Sequence, residues 1–317
     1  MGICLGPWTV VGLSPGLPLA RGGVPMFATA CKLASRYTYP VIMARRHFDR
    51  TTKWGCAAFV VLNEQGWIAT AAHLLAAEDA LQRSCREISD YSGKILAIRQ
   101  DPRLTCQKKR QKISRLKANP KWVTNVTFWW GCDGIHLREV RLLPEADLAV
   151  GRLEPFDPER FRPFPVVKDP VSLDVGTTLC KLGYPFQRIK VSYDESGGEF
   201  RFATGPLPLA GFPTEGIYTR TLSAGKSSDG RYDIKFLETS SPGITGQSGG
   251  PLFDSRGTLW GVQSRTDMHS IRILARTPGK ARSEDEVLSL NLGVAIHPEL
   301  LVSYLTDNGI PFRRSDY

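Results

Sequence analysis

The sequence predicts an all-β protein with helical additions, and three observations carry that expectation. Short apolar runs pair across turn signals: 56–62 and 67–70 flank Asn63-Glu64-Gln65-Gly66, and Leu252-Phe253 and 259–262 flank Asp254-Ser255-Arg256-Gly257. Helical patterning is confined to a stretch near 76–121 and to the C-terminal end. With 42% hydrophobic residues the 317-residue chain can bury a substantial core, yet it has no apolar run of the roughly eighteen residues that a membrane-crossing helix needs.

In chain order, residues 1–25 are rich in Gly and Pro and too broken for a secretory signal. Met1-Gly2 opens like a myristoylation signal, but Gly6 stands where Ser or Thr is required. A loosely packed leader is expected over 1–34, followed by one large domain over 35–317. Tyr39-Pro40-Val41-Ile42-Met43 reads as an edge strand, and the 56–70 hairpin follows it. Residues 76–90 read as helix. A second helix is signalled by Asp101 as N-cap, Pro102 at the first position and Asn119-Pro120 as the stop. Residues 123–130 and 135–143 read as strands, so Trp122, Trp129 and Trp130 are expected in the core. Beyond Pro165-Val166-Val167, strands are expected at 175–182, 236–240 and 292–296. A Gly/Ser-rich loop is expected at 223–230, and a helix from Pro298 to Leu305 closed by Asn308-Gly309.

The net charge of +10 is uneven. Between Arg99 and Lys121 there are nine Lys/Arg and one Asp, a local balance of +8. Arg99, Lys108, Lys109, Arg110, Lys112, Arg115 and Lys117 therefore form a basic insertion suited to an anionic partner: nucleic acid, an acidic protein or an acidic surface. The plainer alternative is a solvated helix laid over the barrel.

The chemistry gathers around Gly246-Gln247-Ser248-Gly249-Gly250-Pro251. A hydroxyl between glycines lets a substrate backbone approach closely. The bare N–H groups of Gly246 and Ser248 can converge on a developing oxyanion. Upstream, His73 ends the apolar strand 67–72 and Asp147 opens the apolar run Leu148-Ala149-Val150. The order His73, Asp147, Ser248 is one in which a Ser-His-Asp constellation occurs: Ser248 as nucleophile, His73 as base, Asp147 as orienter. A rival remains, because the same motif satisfies the elbow of α/β-hydrolases, with Asp267 or Asp285 and His297 following the serine. The hairpin signals after Pro251 disfavour it.

Thr70-Ala71-Ala72-His73, Asp147-Leu148-Ala149-Val150 and the Gly246–Pro251 motif, in this order, resemble the trypsin-like serine peptidases of the chymotrypsin fold, closest to the bacterial HtrA-type branch without a PDZ domain. The resemblance covers roughly 36–310. It implies two six-stranded antiparallel β-barrels, about 35–160 and 161–317, with a helical basic insertion at about 76–121 in the first and a C-terminal helix after the second. It implies a serine endopeptidase acting on protein or peptide substrates without a cofactor or metal. The primary pocket would lie at 242–245 and 264–266, making Thr245, Gln247, Ser264, Arg265 and Thr266 the substrate-binding candidates. Gln247 stands where trypsin has the aspartate of its zymogen ion pair, and no acid lies six residues before Ser248 where trypsin's preference for Lys and Arg originates. An activating partner that orders the loop is the regulation this implies. Secreted relatives have a cysteine directly after the histidine; here it is Leu74, so the seven cysteines read as free thiols of a cytoplasmic protein. A second function class stays open, a dormant protease fold that binds an anionic partner through the basic helix at 99–121.

Overall fold

The computed structural model describes residues 26–171, 173–203, 209–275 and 284–317; the side chains of 271–275 and 284–288 lie outside the description, as does the expected leader up to residue 25. The first element is α1 (Ala28–Tyr37), whose Ala30, Ala34 and Tyr37 are buried at helical spacing. Residues 28–34, at the end of the expected leader, are thus helical with Ala30 and Ala34 buried. Tyr37 is fully buried with its hydroxyl donating to the Gly257 carbonyl, so the end of that stretch is anchored in the core.

Six strands form the first sheet: β1 (Thr38–His47), β2 (Thr52–Val61), β3 (Trp67–Ala71), β4 (Val123–Trp130), β5 (His136–Leu143) and β6 (Leu148–Glu154), in the order β4-β1-β2-β3-β6-β5. β1 is not the expected edge, since it pairs antiparallel with both β2 and β4. The β2–β3 turn forms as the sequence asks. Asn63 Oδ1 accepts from the amides of Gln65 and Trp67, and Gly66 takes φ 83°. Phe59, Val61, Ile68 and Ala149 fill the interior of this sheet, each large side chain contributing roughly 1.5–3 kcal/mol by leaving water.

Between β3 and β4 lies the insertion. α2 (Ala76–Gln100) runs ten residues past the expected end. Gly93 has open space where a Cβ would be, so it costs about 1 kcal/mol without breaking the helix. Asp101 caps the end of α2 instead of opening the next helix: its position before Pro102 forces it out of helical geometry, and its carboxylate accepts from the Arg103 amide. α3 (Cys106–Arg115) is shorter than expected, starts at Thr105 as N-cap and buries no residue. Ser84, buried on α2, accepts from the Val123 amide and pins the helix to β4. Trp122 and Trp130 are in the core, while Trp129 is half-buried.

The short α4 (Pro158–Phe161) leads to the second barrel. It contains β7 (Val166–Val167), β8 (Thr178–Gly183), the separate two-stranded ribbon β9 (Lys190–Asp194) and β10 (Glu199–Ala203), β11 (Phe212–Lys226), β12 (Asp233–Thr239), β13 (Pro251–Phe253), β14 (Leu259–Ala275) and β15 (Glu284–Ile296). The chain ends with α5 (Pro298–Asp307) and β16 (Arg313–Arg314). The ladder β13-β8-β11-β12-β15-β14 closes through β14 pairing back to β13, giving a six-stranded barrel. β7 and β16 attach to its outside as short parallel strands. The predicted all-β fold with helical additions is thus the observed one: the first sheet is a six-stranded half-barrel and the second closes, an arrangement consistent with the chymotrypsin-type double barrel. The loop expected at 223–230 begins only after Lys226, because 223–226 continue β11 opposite β12.

Candidate active site

His73, Asp147 and Ser248 come from three different connections. The 3-10 turn Ala72–Leu74 carries His73 off the end of β3, and a second such turn, Pro144–Ala146, sets Asp147 at φ 54° just before β6. The Ala72 amide donates to the Asp147 carbonyl at 2.9 Å, which locks the two connections together. Nδ1 of His73 lies 2.9 Å from Asp147 Oδ2 and 3.1 Å from Oδ1, and the His73 amide donates to Oδ1 at 2.8 Å. Ser264 Oγ donates to Oδ2 at 2.6 Å. Burial alone would raise the Asp147 carboxyl. The hydrogen bonds from His73 and Ser264, with the attraction of the imidazole, outweigh it and hold the carboxyl below its usual range. An ionised Asp147 fixes the proton on Nδ1 and leaves Nε2 as the free acceptor.

The Ser248 loop is tight because three glycines let it be. A Cβ on Gly249 would stand 2.1 Å from the Ala58 carbonyl and 2.2 Å from Thr70 Oγ1; one on Gly250 would stand 2.0 Å from the Leu182 carbonyl. Gly246, at φ 105°, would bring a Cβ to 2.6 Å from the Tyr184 carbonyl. Of the amides from Gly246 to Gly250, those of Gln247, Gly249 and Gly250 donate to backbone carbonyls, and those of Gly246 and Ser248 donate to no acceptor among the described residues. Two free N–H groups flanking a serine hydroxyl suit a developing negative oxygen. Ser248 Oγ donates to the Ser264 carbonyl at 3.3 Å, and no described hydrogen bond joins it to His73.

Beside Ser248 is a cavity of about 200 Å³ lined by Gly243, Ile244, Thr245, Gln263, Ser264, Arg265 and Thr266. Of the residues expected there, Gln247 does not line it. Its side chain is fully buried, accepting from the Ile244 amide and donating to the Phe212 carbonyl and Thr214 Oγ1, so it braces the loop from behind. Arg265 and Asp267 carry opposite charges and pair with each other at 3.0 Å. Gln263 was not anticipated. Its Nε2 donates to the Arg265 and Val294 carbonyls, while its buried Oε1 has no partner. Lys181 was also missed. It is fully buried, with Nζ donating to Ser241 Oγ at 2.9 Å and to the carbonyls of Ser241 and Pro242, and burial pulls it down to about 8. It ties the strand before the pocket to β8, and a lysine between apolar neighbours in a strand was its only sequence signal.

The α/β-hydrolase rival does not hold. β13, not a helix, follows Ser248, and His297 is buried as the N-cap of α5, its Nδ1 accepting from the Glu299 amide. The basic insertion lies elsewhere. Arg99, Lys108, Arg110, Lys112, Arg115 and Lys117 are exposed, whereas half-buried Lys109 spends its ammonium on the Arg99 carbonyl.

The family model described as trypsin-like peptidase domain matches residues 56–262, well over half the chain. The chain belongs to the trypsin-like peptidase family, and the matched span contains His73, Asp147 and Ser248. Among solved structures, the active form of the Rv3671c protease from M. tuberculosis is similar, at 16% identity and a TM-score of 0.45, covering 98% of this chain and 96% of that one. No curated protein matches the chain. No helix among the described residues is long and apolar enough to cross a membrane.

Proposed function

We propose that the chain is a serine endopeptidase of the HtrA-type branch. Neutral His73 takes the Ser248 proton, Asp147 holds the imidazole in the required tautomer, and the Gly246 and Ser248 amides stabilise the oxyanion. The observation that carries this reading is the two-pronged grip of Asp147 on His73, together with a serine whose own amide and that of Gly246 donate to no acceptor among the described residues. A substrate chain that pairs with the Ser264 carbonyl takes over the acceptor now used by Ser248 Oγ, releasing the hydroxyl toward His73. Substrate arrival and nucleophile activation are then one event.

Gln263, one of the residues lining the pocket, keeps a buried Oε1 without a partner among the described residues, and a substrate side chain that donates a hydrogen bond would satisfy it once the amide turns toward the pocket. No free carboxylate lines it, so cleavage after Lys or Arg is not the expected preference. Residence in a reducing, cytoplasmic setting with regulated activity is part of the same proposal. It rests on free thiols such as Cys31 and Cys180, which share a hydrogen bond at 3.9 Å and form no disulfide. Profiling the purified protein against a library of peptides tests the specificity: enrichment of Ser, Thr, Asn or Gln at the cleaved position supports it, and enrichment of Lys or Arg overturns it.

The second reading, a fold whose task is to bind an anionic partner through 99–121, is favoured by one observation, the exposed basic face of α3. Charge reversal at Lys108 and Arg110 separates the two: loss of partner binding with peptide cleavage intact assigns the insertion to binding alone.

A further inference from the structure

A second cavity, of about 670 Å³, lies between the β1–β2 end of the first barrel, α2 and the segment entering β4. Four Lys/Arg side chains line it against two carboxylates, leaving a formal charge of +2. Arg45, Lys53, Arg83 and Lys121 line it, and none has an ion-pair partner among the described residues. The two carboxylates on its wall are already engaged, Asp49 by the amide and hydroxyl of Thr51 and Glu87 by the indole N–H of Trp122.

Two features go beyond a basic surface. Arg45 and Lys53 are direct partners across the β1–β2 ladder, so two like charges stand on one face of the sheet, an arrangement that costs stability unless an anion bridges them. His47 is only 8% exposed and lines the cavity; its Nδ1 donates to the Lys121 carbonyl at 3.0 Å, which leaves Nε2 free. Both His47 Nε2 and Arg45 Nε are buried without a hydrogen-bond partner. Such orphaned polar atoms are costly; both lack solvent contact, and a side-chain shift on ligand binding that lets the ligand engage them recovers that cost. Nε2 accepts when the ring is neutral and donates when it is protonated, and so it can meet either a protonated or an ionised phosphoryl oxygen.

We propose that this cavity is a binding site for a small phosphorylated molecule, with the phosphoryl group held by Arg45, His47, Lys53 and Arg83. The guanidinium groups suit bidentate contact with phosphoryl oxygens. The volume accommodates a ligand of nucleotide size, and Trp122 forms one wall for its apolar part. The site is separate from the exposed face of α3 and does not depend on the peptidase reading.

Titration calorimetry on the full chain carrying Ser248→Ala, which prevents self-cleavage, tests it with pyrophosphate, ATP and adenosine at low salt. Pyrophosphate and ATP should bind and adenosine should not; tighter binding of ATP would assign the Trp122 wall to the base, and equal binding would confine recognition to the phosphoryl group. Lys53→Glu and Arg83→Glu, both at exposed positions that leave the fold intact, should each weaken binding at least about tenfold. Charge reversal at Lys108, Arg110 and Arg115 should leave it unchanged. The proposal fails if neither phosphorylated probe binds at millimolar concentration, if Lys53→Glu and Arg83→Glu bind normally, or if the α3 variant is the one that loses binding.

Discussion

Asp147 accepts hydrogen bonds from the ring and the amide of His73 and from the Ser264 hydroxyl, and each has its own consequence. Replacing the carboxylate by an amide, Asp147→Asn, removes the acceptor that fixes the His73 tautomer. Turnover of a peptide substrate should fall by about four orders of magnitude with little change in KM. Ser264→Ala removes one acidifying contact, so the Asp147 carboxyl should move up toward its ordinary range. Carboxylate titration followed by NMR would register that rise, and an unmoved carboxyl would show the Ser264 contact to be idle. The residue scale is also where the sequence spoke most clearly. The chemistry needs His, Asp and Ser at strand ends, and the motifs around His73, Asp147 and Ser248 put them there. The roles of Gln247, Gln263 and Lys181 stayed hidden because they depend on which side of a loop or strand a side chain takes, and no short-range pattern encodes that. Gln247 was expected to face substrate and instead braces the loop from its buried side.

At the scale of elements, the Ser248 loop and α5 make the sharpest predictions. Gly249 stands at φ 79° with no room for a Cβ. Gly249→Ala should cost roughly 2–4 kcal/mol of stability in denaturant unfolding and abolish peptide hydrolysis. A variant of wild-type stability would mean the loop has slack that the close contacts deny. His297 caps α5 only while Nδ1 is unprotonated, and burial pulls the ring down to about 4. Its stabilising contribution is complete above the ordinary value of 6.5 and is lost as pH falls toward 4, amounting to about 3 kcal/mol at most. His297→Asn retains a capping oxygen without a titrating group, so its melting temperature should change less than that of wild type between pH 6.5 and 4. Strand and helix types followed from apolar alternation and capping signals, but their lengths did not. α2 outran its expected end because an exposed glycine weakens a helix without stopping it, and β14 and β15 outrun the barrel as a two-stranded ribbon paired with each other.

For the whole molecule, two closed or curled sheets bring His73 and Asp147 from one half against Ser248 and Ser264 from the other. The insertion enlarges the first half without entering that seam. α3 buries no residue, so reversing the charge of Lys108, Arg110 and Arg115 should change stability by less than about 0.5 kcal/mol and leave basal peptide cleavage unaltered. A loss of basal cleavage would tie the insertion to the active site after all. The two-barrel plan was legible from three motifs and the hairpin signals between them. What the sequence did not disclose was the second cavity, because Arg45, Lys53, Arg83 and Lys121 are scattered along the chain and meet only through the β1–β2 ladder and the docking of α2.

Activation of Ser248 as a nucleophile by His73 can be trapped chemically. Labelling with a fluorophosphonate probe, mapped by mass spectrometry, addresses it directly. Wild type should carry the label on Ser248, Ser248→Ala should carry none there, and His73→Ala should label far more slowly. Labelling of Ser248 that is as fast without His73 as with it, or wild-type protein that takes no label at Ser248 at all, would contradict the account.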